Sequence, residues 1–291
     1  MTTTPDGAGG STVPALAART PGRFLAARRE RQPPSKSRTR TIASGVIACL
    51  AAVALWQVVV SAGVVSSTSF PSPVQVVRAL GPLLLDRSFW GALSDTLQIW
   101  ALGLGISILV GVPLGLLLGS SKLAYQLTRF VIDFCRSLPA VALLPLALLL
   151  YGATSRMALV LVVIGSVWPV LIQSVYGARS VDRVARDMAA SYRVRRLDRV
   201  FRLLVPSAAP LMATGIRIAA SISLLLAIGA SIIGGAPGIG LEIQAYSEAA
   251  DMPTMFALVF VSGILGLALN IGLQAAEPRV LSWHASHRVT S

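Results

Sequence analysis

The stretch that decides the fold is residues 96–119, which read TLQIWALGLGISILVGVPLGLLLG. It holds no charged side chain, and about 20 apolar residues are enough for a helix to cross the hydrocarbon core of a bilayer. Glycine recurs at every fourth position, as Gly111, Gly115 and Gly119. Small residues at that spacing let two helices approach closely in lipid. The stretch therefore predicts a transmembrane helix whose glycine face packs against a neighbouring helix.

The composition of the whole chain agrees with a membrane protein. Of its 291 residues, 54% are hydrophobic and only 13% are charged, which is about half the charged fraction of a soluble domain. This composition argues against a soluble enzyme and against disorder over most of the length. The remaining charge is basic, with 25 Lys and Arg against 12 Asp and Glu. In an apolar chain, such an excess indicates basic segments on the cytoplasmic side of a membrane.

Five further apolar stretches bring the predicted number of transmembrane helices to six. The predicted spans are 41–63, 96–119, 137–152, 157–176, 211–233 and 254–274. The short third span contains Pro139 and Pro145, and proline leaves backbone carbonyls without a partner. Lipid tolerates this only where protein or water satisfies those groups, so we expect the third span inside the bundle. Small helices outside the membrane are expected in the connections 64–95 and 234–253.

The distribution of the basic residues predicts the orientation of the chain. Of the 25 Lys and Arg residues, 21 lie in four alternate segments, which are 1–41, 120–136, 178–206 and the C-terminal tail. Because cytoplasmic segments retain positive charge, both termini and the long 178–206 loop are predicted to be cytoplasmic. The predicted organisation is a basic disordered arm (1–40), a first transmembrane helix (41–63), an extracytoplasmic connection (64–95), a core domain (96–283) and a tail (284–291).

The 178–206 loop is too long for a simple turn and has a helical pattern. Its apolar residues fall on one face and its arginines on the other. These residues are Val194, Leu197, Phe201 and Leu204 on the apolar face, and Arg195, Arg196, Arg199 and Arg202 on the basic face. Pro206 and Pro210 are expected to end the pattern before the fifth span. The pattern is compatible with an amphipathic helix on anionic headgroups and equally with a docking element for a cytoplasmic partner.

Arg217 is a charge inside the otherwise uncharged fifth span. A charge at membrane depth is costly and by default indicates function. One interpretation is structural: the side chain snorkels to the cytoplasmic interface or pairs with a neighbouring carbonyl. The other is that Arg217 attracts an anion in a translocation pathway, for which Arg217, Pro139 and Pro145 are the candidate residues.

A cytoplasmic motif of this chain resembles one in the inner-membrane permease subunits of binding-protein-dependent ABC importers. That motif reads E-A-A-x-x-x-G, then nine residues, then I-x-L-P. Registered on Pro206, the chain has Asp187 at the glutamate and Arg193 at the glycine, which the family uses for a left-handed or C-terminal turn. The resemblance implies that an ATPase couples through the following residues: Asp187, Met188, Ala189, Arg193, Arg195, Arg196, Arg199, Leu203, Val205 and Pro206.

Other motifs, in matching order, are similar to those of the nitrate/sulfonate/taurine-type permeases. They are Phe70-Pro-Ser-Pro73, Gly111-Val-Pro-Leu-Gly115, Arg136-Ser-Leu-Pro139, Gly215-Ile-Arg217, Gly238-Ile-Gly240 and Glu277-Pro-Arg279-Val-Leu281-Ser-Trp283. Two positions depart from that branch. Ile99 stands where the family usually has an arginine, and Ser231 stands where it usually has a glutamate.

The resemblance implies an all-α integral membrane protein with the type I ABC importer permease fold, six transmembrane helices and cytoplasmic termini. The implied partners are ABC ATPase subunits, a second permease copy in a homodimer, an extracytoplasmic solute-binding protein and membrane lipid. The implied function is a path for a small anion, such as an aliphatic sulfonate, taurine or nitrate. The implied location is the inner or plasma membrane of a prokaryote.

The sequence itself favours an energy source on another chain. A P-loop needs lysine after glycine, and both lysines here, Lys36 and Lys122, follow serine. We therefore expect ATP and Mg²⁺ to be used by a partner ATPase, and we expect this chain to be neither an enzyme nor a binder of cofactor, metal or nucleic acid. The alternative is a stand-alone secondary transporter or channel for a small solute, but the predicted spans contain no carboxylate that could couple ions.

Overall fold

The computed structural model describes residues 38–63 and 70–280. These residues form helices and no strand, which confirms the all-α prediction. The predicted arm up to residue 37, the residues 281–283 of the C-terminal motif and the tail 284–291 lie outside the described residues.

The helices are named here in chain order. They are α1 (Arg38–Ser61), α2 (Pro73–Leu85), α3 (Arg87–Ser120), α4 (Lys122–Ser137), α5 (Leu144–Tyr151), α6 (Ser155–Arg179), α7 (Arg183–Ser191), α8 (Arg196–Arg199), α9 (Val205–Gly234), α10 (Ile239–Glu248) and α11 (Met252–Val280). A 3₁₀ turn, Ala140–Leu143, precedes α5, and a π-helical turn, Val200–Leu204, joins α8 to α9.

Four helical stretches among the described residues are long and apolar enough to cross a membrane: α3, α6, α11 and Arg196–Glu248, which contains α9. A fifth is reached if α4 and Ala140–Tyr151 form one broken span. α1 covers most of the predicted first span, but its apolar part, Ile47–Ser61, is shorter than a span. Six spans therefore stay a prediction.

The chain divides into two compact units, and the division falls inside α1. Of the first unit, Met1–Ala52, the described residues are the N-terminal part of α1, whose apolar side chains Ile47 and Leu50 are exposed. The second unit, Val53–Ser291, holds the rest of α1 and all the other helices.

The centre of the second unit is α6, which packs against α3 on one side and α9 on the other. The glycine face of α3 lies directly on α6. A Cβ atom built on Gly115 would lie 2.5 Å from the Leu171 carbonyl oxygen, and one on Gly119 would lie 2.6 Å from the Val175 carbonyl oxygen. No side chain larger than hydrogen fits at these positions without separating the helices. The predicted packing role of the glycine face is confirmed.

The contact between α6 and α9 also depends on glycines. A Cβ on Gly177 would lie 2.9 Å from the Ala208 carbonyl oxygen, and one on Gly215 would lie 2.9 Å from the Pro169 carbonyl oxygen. Small residues thus allow three long helices to touch along their backbones, which replaces the hydrophobic driving force that is absent between helices in lipid.

Two polar contacts join different helices inside this three-helix core. The hydroxyl oxygens of Ser107 on α3 and Ser166 on α6 lie 2.7 Å apart. The indole N–H of Trp100 on α3 donates to the Ala220 carbonyl oxygen on α9 at 2.9 Å. Since no water is available at this depth, such bonds fix the register of the helices.

The predicted third span, 137–152, is observed as the 3₁₀ turn Ala140–Leu143 and the short helix α5, which follow a break at Pro139. α4 ends at Ser137, Pro139 is extended, and α5 begins only at Leu144. The two helical parts are bent by 76°. Pro139 lacks a backbone N–H, whereas Pro145 lies in the first turn of α5, where none is needed.

Two neighbouring predictions are corrected. The segment 120–136, predicted as a basic loop, is largely helix α4. The third span is also not wholly inside the bundle. α5 buries Leu144 and Ala147, while Leu149 and Leu150 on its other face are exposed.

The two prolines after the 178–206 loop do not end the helix, so that prediction is also wrong. Pro206 lies in the first turn of α9 and Pro210 lies inside it. The π-helical turn Val200–Leu204 precedes Pro206 and includes Arg202, four residues before it. A wider turn at that point relieves the clash between the proline ring and the carbonyl of residue i−4.

Small helices in the two connections are confirmed as α2 and α10. A capping box begins α2, because Ser72 accepts a bond from the Gln75 N–H and Gln75 Oε1 accepts one from the Ser72 N–H. α3 begins at Arg87, earlier than predicted, with Asp86 as its N-cap. The bonds that Ser88 donates to the Asp86 carboxylate lower the pKa of Asp86.

Substituting alanine for Gly115 should destabilise the protein by about 1–3 kcal/mol, because the added methyl group meets the α6 backbone. The measurement is thermal unfolding of the detergent-purified protein. The matched control is Gly105→Ala on the same helix, where a Cβ meets nothing within 4 Å. Equal melting temperatures for the two variants would contradict the close contact between α3 and α6.

Candidate functional site

The 178–206 loop contains a helix, α7, that ends in a Schellman motif. The Arg193 N–H donates to the Ala190 carbonyl oxygen at 3.0 Å, and the Val194 N–H donates to the Ala189 carbonyl oxygen at 3.1 Å. Arg193 has φ +53°, the left-handed region that glycine normally occupies at this position of the motif. A side chain in this conformation costs about 1–2 kcal/mol. The chain therefore keeps the glycine turn geometry although an arginine stands there.

The same turn is held by a second arginine. Arg199 Nη2 forms long hydrogen bonds of 3.4 Å to the Ala189 carbonyl oxygen and 3.5 Å to the Val194 carbonyl oxygen. A cation at these carbonyls complements the negative end of the α7 dipole. Arg199 thus ties α8 to the C-terminus of α7.

At its other end, α7 is tied to α6. Arg186 Nη2 donates to the Ala178 carbonyl oxygen at 3.0 Å. Asp182 caps α7 by accepting a bond from the Val184 N–H at 3.0 Å. The loop is therefore an ordered element attached to α6 before it and to α9 after it.

The predicted helical pattern of the 178–206 loop is confirmed in two parts, α7 and the helical run from Arg196 into α9, which the turn at Tyr192–Arg195 separates. The physical reason is the left-handed residue Arg193, which no continuous α-helix can contain. The apolar residues are not buried by the loop itself. Five of them are more than half exposed: Val184, Met188, Tyr192, Leu197 and Phe201. We name these five residues the apolar loop face.

The structure gives the predicted coupling residues different positions. Asp187, Met188, Arg193, Arg195 and Arg196 are exposed on the loop. Ala189 and Arg199 are partly buried and take part in the turn. Leu203, Val205 and Pro206 are partly buried at the start of α9. Val205 packs with Leu116, Ala178 and Ala208, so the end of the loop touches all three core helices.

Arg217 forms an ion pair with Glu277 of α11. The two side chains are 35% and 21% exposed. The sequence does not reveal this partner, since Glu277 lies beyond the predicted sixth span, 254–274, whereas α11 continues to Val280. A helix can continue after its apolar stretch ends. An acidic residue a few positions past such a stretch is therefore a candidate ion-pair partner that the sequence does offer.

The three candidate pathway residues do not line one cavity. Arg217 lines two cavities between α9 and α11, of about 250 Å³ and 230 Å³. Pro139 lines a cavity of about 490 Å³ between residues 136–141, α6 and α9. Pro145 lines none of these three. The 490 Å³ cavity is named the lateral cavity below, and Gly165, Trp168 and Ile222 are among its lining residues.

The two departures from the family pattern stand in buried, uncharged surroundings. Ile99 packs in a cluster with Leu161 and Ala227. Ser231 is buried, and its hydroxyl donates to the carbonyl oxygens of Ala227 at 3.0 Å and Pro237 at 3.3 Å. These neutral side chains avoid the desolvation that a buried arginine or glutamate would require.

Comparison with known proteins gives a consistent result. The family model described as binding-protein-dependent transport system inner membrane component matches residues 111–282. The nitrate import permease protein NrtB of Synechocystis is 30% identical to the chain, covering 84% of it and 92% of NrtB. The taurine transport system permease protein TauC of Escherichia coli is 28% identical, with coverages of 85% and 91%.

A third relative is the putative aliphatic sulfonates transport permease protein SsuC of Bacillus subtilis, which is 27% identical and covers 81% of the chain and 85% of SsuC. Among solved structures, an inward-facing MetNI methionine ABC transporter matches with a TM-score of 0.57 at 16% identity, covering 66% of the chain and 93% of that chain. At this identity the likeness shows the fold alone, and that fold is the one of a type I ABC permease.

Replacing Arg193 by glycine should stabilise the α7 turn by about 1 kcal/mol, because glycine adopts positive φ without a Cβ clash. Arg193→Val should do the opposite, since a β-branched residue resists positive φ. Amide hydrogen exchange of Arg193 and Val194 measures the stability of the turn. Faster exchange in Arg193→Gly than in the unchanged protein would contradict the left-handed assignment.

Replacing either member of the Arg217–Glu277 pair should destabilise the contact between α9 and α11 by about 1–2 kcal/mol, between the values for exposed and buried pairs. The swapped double variant, Arg217→Glu with Glu277→Arg, should recover most of the loss. Thermal unfolding in detergent of the unchanged protein, the two single variants and the double variant gives the coupling energy between the two side chains. Additive effects of the two single changes would exclude the ion pair.

Proposed function

Since the chain belongs to the family of binding-protein-dependent transport system inner membrane components, we propose that it forms the path of an ATP-driven importer for a small anion such as an aliphatic sulfonate, taurine or nitrate. It is a multi-pass protein of the cell membrane and a transport component of an ABC importer. By their names, NrtB, SsuC and TauC transport nitrate, aliphatic sulfonates and taurine, respectively. Nitrate and sulfonates share compact oxyanion chemistry, which supports the proposed substrate class.

The observation that carries the coupling proposal is the apolar loop face. Phe201 is 67% exposed, and Tyr192 and Leu197 are more exposed still. Aromatic and aliphatic side chains on an ordered, arginine-rich element are typical of the centre of a protein interface. We infer that an ABC ATPase docks here and that the surrounding arginines Arg195 and Arg196 orient it.

The attachment of the loop suggests how ATP-driven movement reaches the membrane. α7 is bonded to the end of α6 through Arg186, and α8 continues through the π-helical turn into α9. α6 and α9 pack along each other and against α3. A displacement of the loop therefore becomes a rigid-body movement of these core helices, the usual form of a switching transition between packed elements.

The proposed assembly contains two copies of this chain, each with six spans and cytoplasmic termini. α1 supplies the additional span, and the charge distribution supports the orientation. The lateral cavity opens between α6 and α9 at the surface of the chain. A second copy would close it, whereas the exposed apolar faces of α1 and α11 suit membrane lipid.

The energy and the initial recognition are proposed to come from partners. ATP and Mg²⁺ would be used by the ATPase, with none bound by this chain, and an extracytoplasmic solute-binding protein would deliver the anion. Arg217 is proposed to hold α9 to α11 rather than to attract the substrate, because Glu277 neutralises it.

The double variant Met188→Glu/Phe201→Glu should abolish import and ATPase docking together, because charge replaces two central apolar contacts. Loss of hot-spot contacts worth about 2 kcal/mol each weakens association by at least about 30-fold. Uptake of labelled taurine, alkanesulfonates and nitrate is measured in a deletion strain carrying each variant, with co-purification of the ATPase in parallel.

The matched control is Leu85→Glu, the same kind of change at an exposed leucine of α2, which should leave ATPase co-purification unchanged. Full co-purification with the double variant would refute docking on the apolar loop face. Failure of the unchanged chain to restore uptake of any of these anions would refute the substrate class.

A further inference from the structure

α4 exposes a row of large apolar side chains, whereas a surface helix of a soluble protein buries its apolar face. Its exposed apolar residues follow helical spacing, and Phe130 is 80% exposed. They are Leu123, Leu127, Phe130 and Phe134. Its basic residues, Lys122, Arg129 and Arg136, recur every seventh position and form another stripe.

The charged residues of α4 line a crevice against α6. The α4 side of the crevice contains Arg129, Asp133 and Arg136, and the α6 side contains Val175 and Tyr176. In a bilayer, charged side chains turn toward the protein interior or toward a water-filled space, while apolar residues meet lipid or another subunit. The charged side chains of α4 are therefore expected to face protein or water and not lipid.

One carboxylate in the crevice is shared by two guanidinium groups. Asp133 accepts a bond of 3.0 Å from Arg136 Nε and lies 3.5 Å from Arg129 Nε. The side chains of Arg129 and Arg136 are 68% and 52% exposed. A single aspartate cannot neutralise both, so the crevice keeps an excess of positive charge and unused N–H donors.

Further positive charge lies beside the crevice. Arg179, at the end of α6, lies over the ring of Tyr125, with 4.4 Å between its guanidinium carbon and the ring centroid. Tyr125 itself lines the crevice. The cationic surface therefore extends to the end of α6 that carries the cytoplasmic loop.

The crevice adjoins the lateral cavity. Arg136 and Ile172 line both spaces. Along α6, the lining passes from Gly165 and Trp168 in the cavity through Ile172 to Tyr176 in the crevice. A solute that moved along this face of α6 would leave an apolar space and meet two arginines.

We propose that the opening of the lateral cavity beside this crevice is the inner mouth of the translocation path, and that Arg129 and Arg136 are specificity-determining residues that receive an oxyanion as it leaves the membrane. The proposal rests on the proposed import of a small anion. Guanidinium N–H groups match the oxygens of a sulfonate or nitrate and stay charged at every physiological pH. Competition from Asp133 and exposure to water keep the binding weak, which permits release.

A thiol-labelling experiment tests the electrostatic field of the crevice without requiring transport. The complete importer carries Ile172→Cys in a Cys49→Ser/Cys135→Ser background, in inside-out vesicles. It is treated with anionic 2-sulfonatoethyl or cationic 2-(trimethylammonio)ethyl methanethiosulfonate, and each rate is divided by the rate with a free thiol. We expect the anionic reagent to be favoured by about tenfold, as positive clefts concentrate anions.

The variant Arg129→Gln/Arg136→Gln should reduce the ratio of the anionic to the cationic labelling rate to about one. Added salt should reduce the same ratio when both arginines are present. The matched control, Arg78→Gln/Arg156→Gln, removes the same number of exposed charges from α2 and the start of α6 and should keep the preference. A preference that survives Arg129→Gln/Arg136→Gln, or an introduced thiol that reacts with neither reagent, would overturn the proposal.

Uptake measurements distinguish a failure of this proposal from a failure of the proposed substrate class. In energised proteoliposomes, Arg129→Gln/Arg136→Gln should lower taurine or nitrate import by about tenfold, while ATP hydrolysis stimulated by the binding protein stays within about twofold. If the unchanged importer carries neither solute but still favours the anionic reagent, the substrate class fails and the inner mouth stands. Unchanged import in the double variant would overturn the role of the two arginines.

Discussion

The structure depends on the close approach of α6 to α3 and α9. In a bilayer there is little hydrophobic gain when two apolar helices associate, so van der Waals contact and interhelical hydrogen bonds must hold them. Gly115 and Gly119 on α3 and Gly177 on α6 bring backbone against backbone, and Ser107 with Ser166 adds a buried polar contact. The 178–206 loop is attached to two helices of this three-helix unit, α6 and α9.

The loop between α6 and α9 is attached to a core helix at each of its two ends. Its first half is bonded to α6, its second half runs into α9, and its middle is a left-handed turn held by Arg199. The conformational cost of Arg193 at positive φ is carried by the surrounding bonds. Exposed apolar side chains on such an ordered element are what the proposed docking of an ATPase would cover.

Sequence patterns succeed where a single helix carries the signal and fail where a helix changes direction. Uncharged length locates α3, α6, α9 and α11, and glycine spacing locates the α3 face that contacts α6. The helix end that the sequence predicts at Pro206 is wrong, because α9 continues through Pro206 and Pro210. The effect of a proline depends on whether neighbouring turns, such as the π-helical turn before Pro206, can accommodate its ring and its missing N–H.

The sequence by itself determined the membrane class, the all-helical fold, the family and the place of the 178–206 loop in the chain, because these follow from composition and from patterns within one helix or loop. The tertiary structure alone decided which charges meet. It paired Arg217 with Glu277, 60 residues apart, and it placed Arg129 and Arg136 of α4 beside Val175 and Tyr176 of α6. The physical reason is that electrostatic partners and cavities are set by distances between helices, and residue order along the chain does not encode those distances.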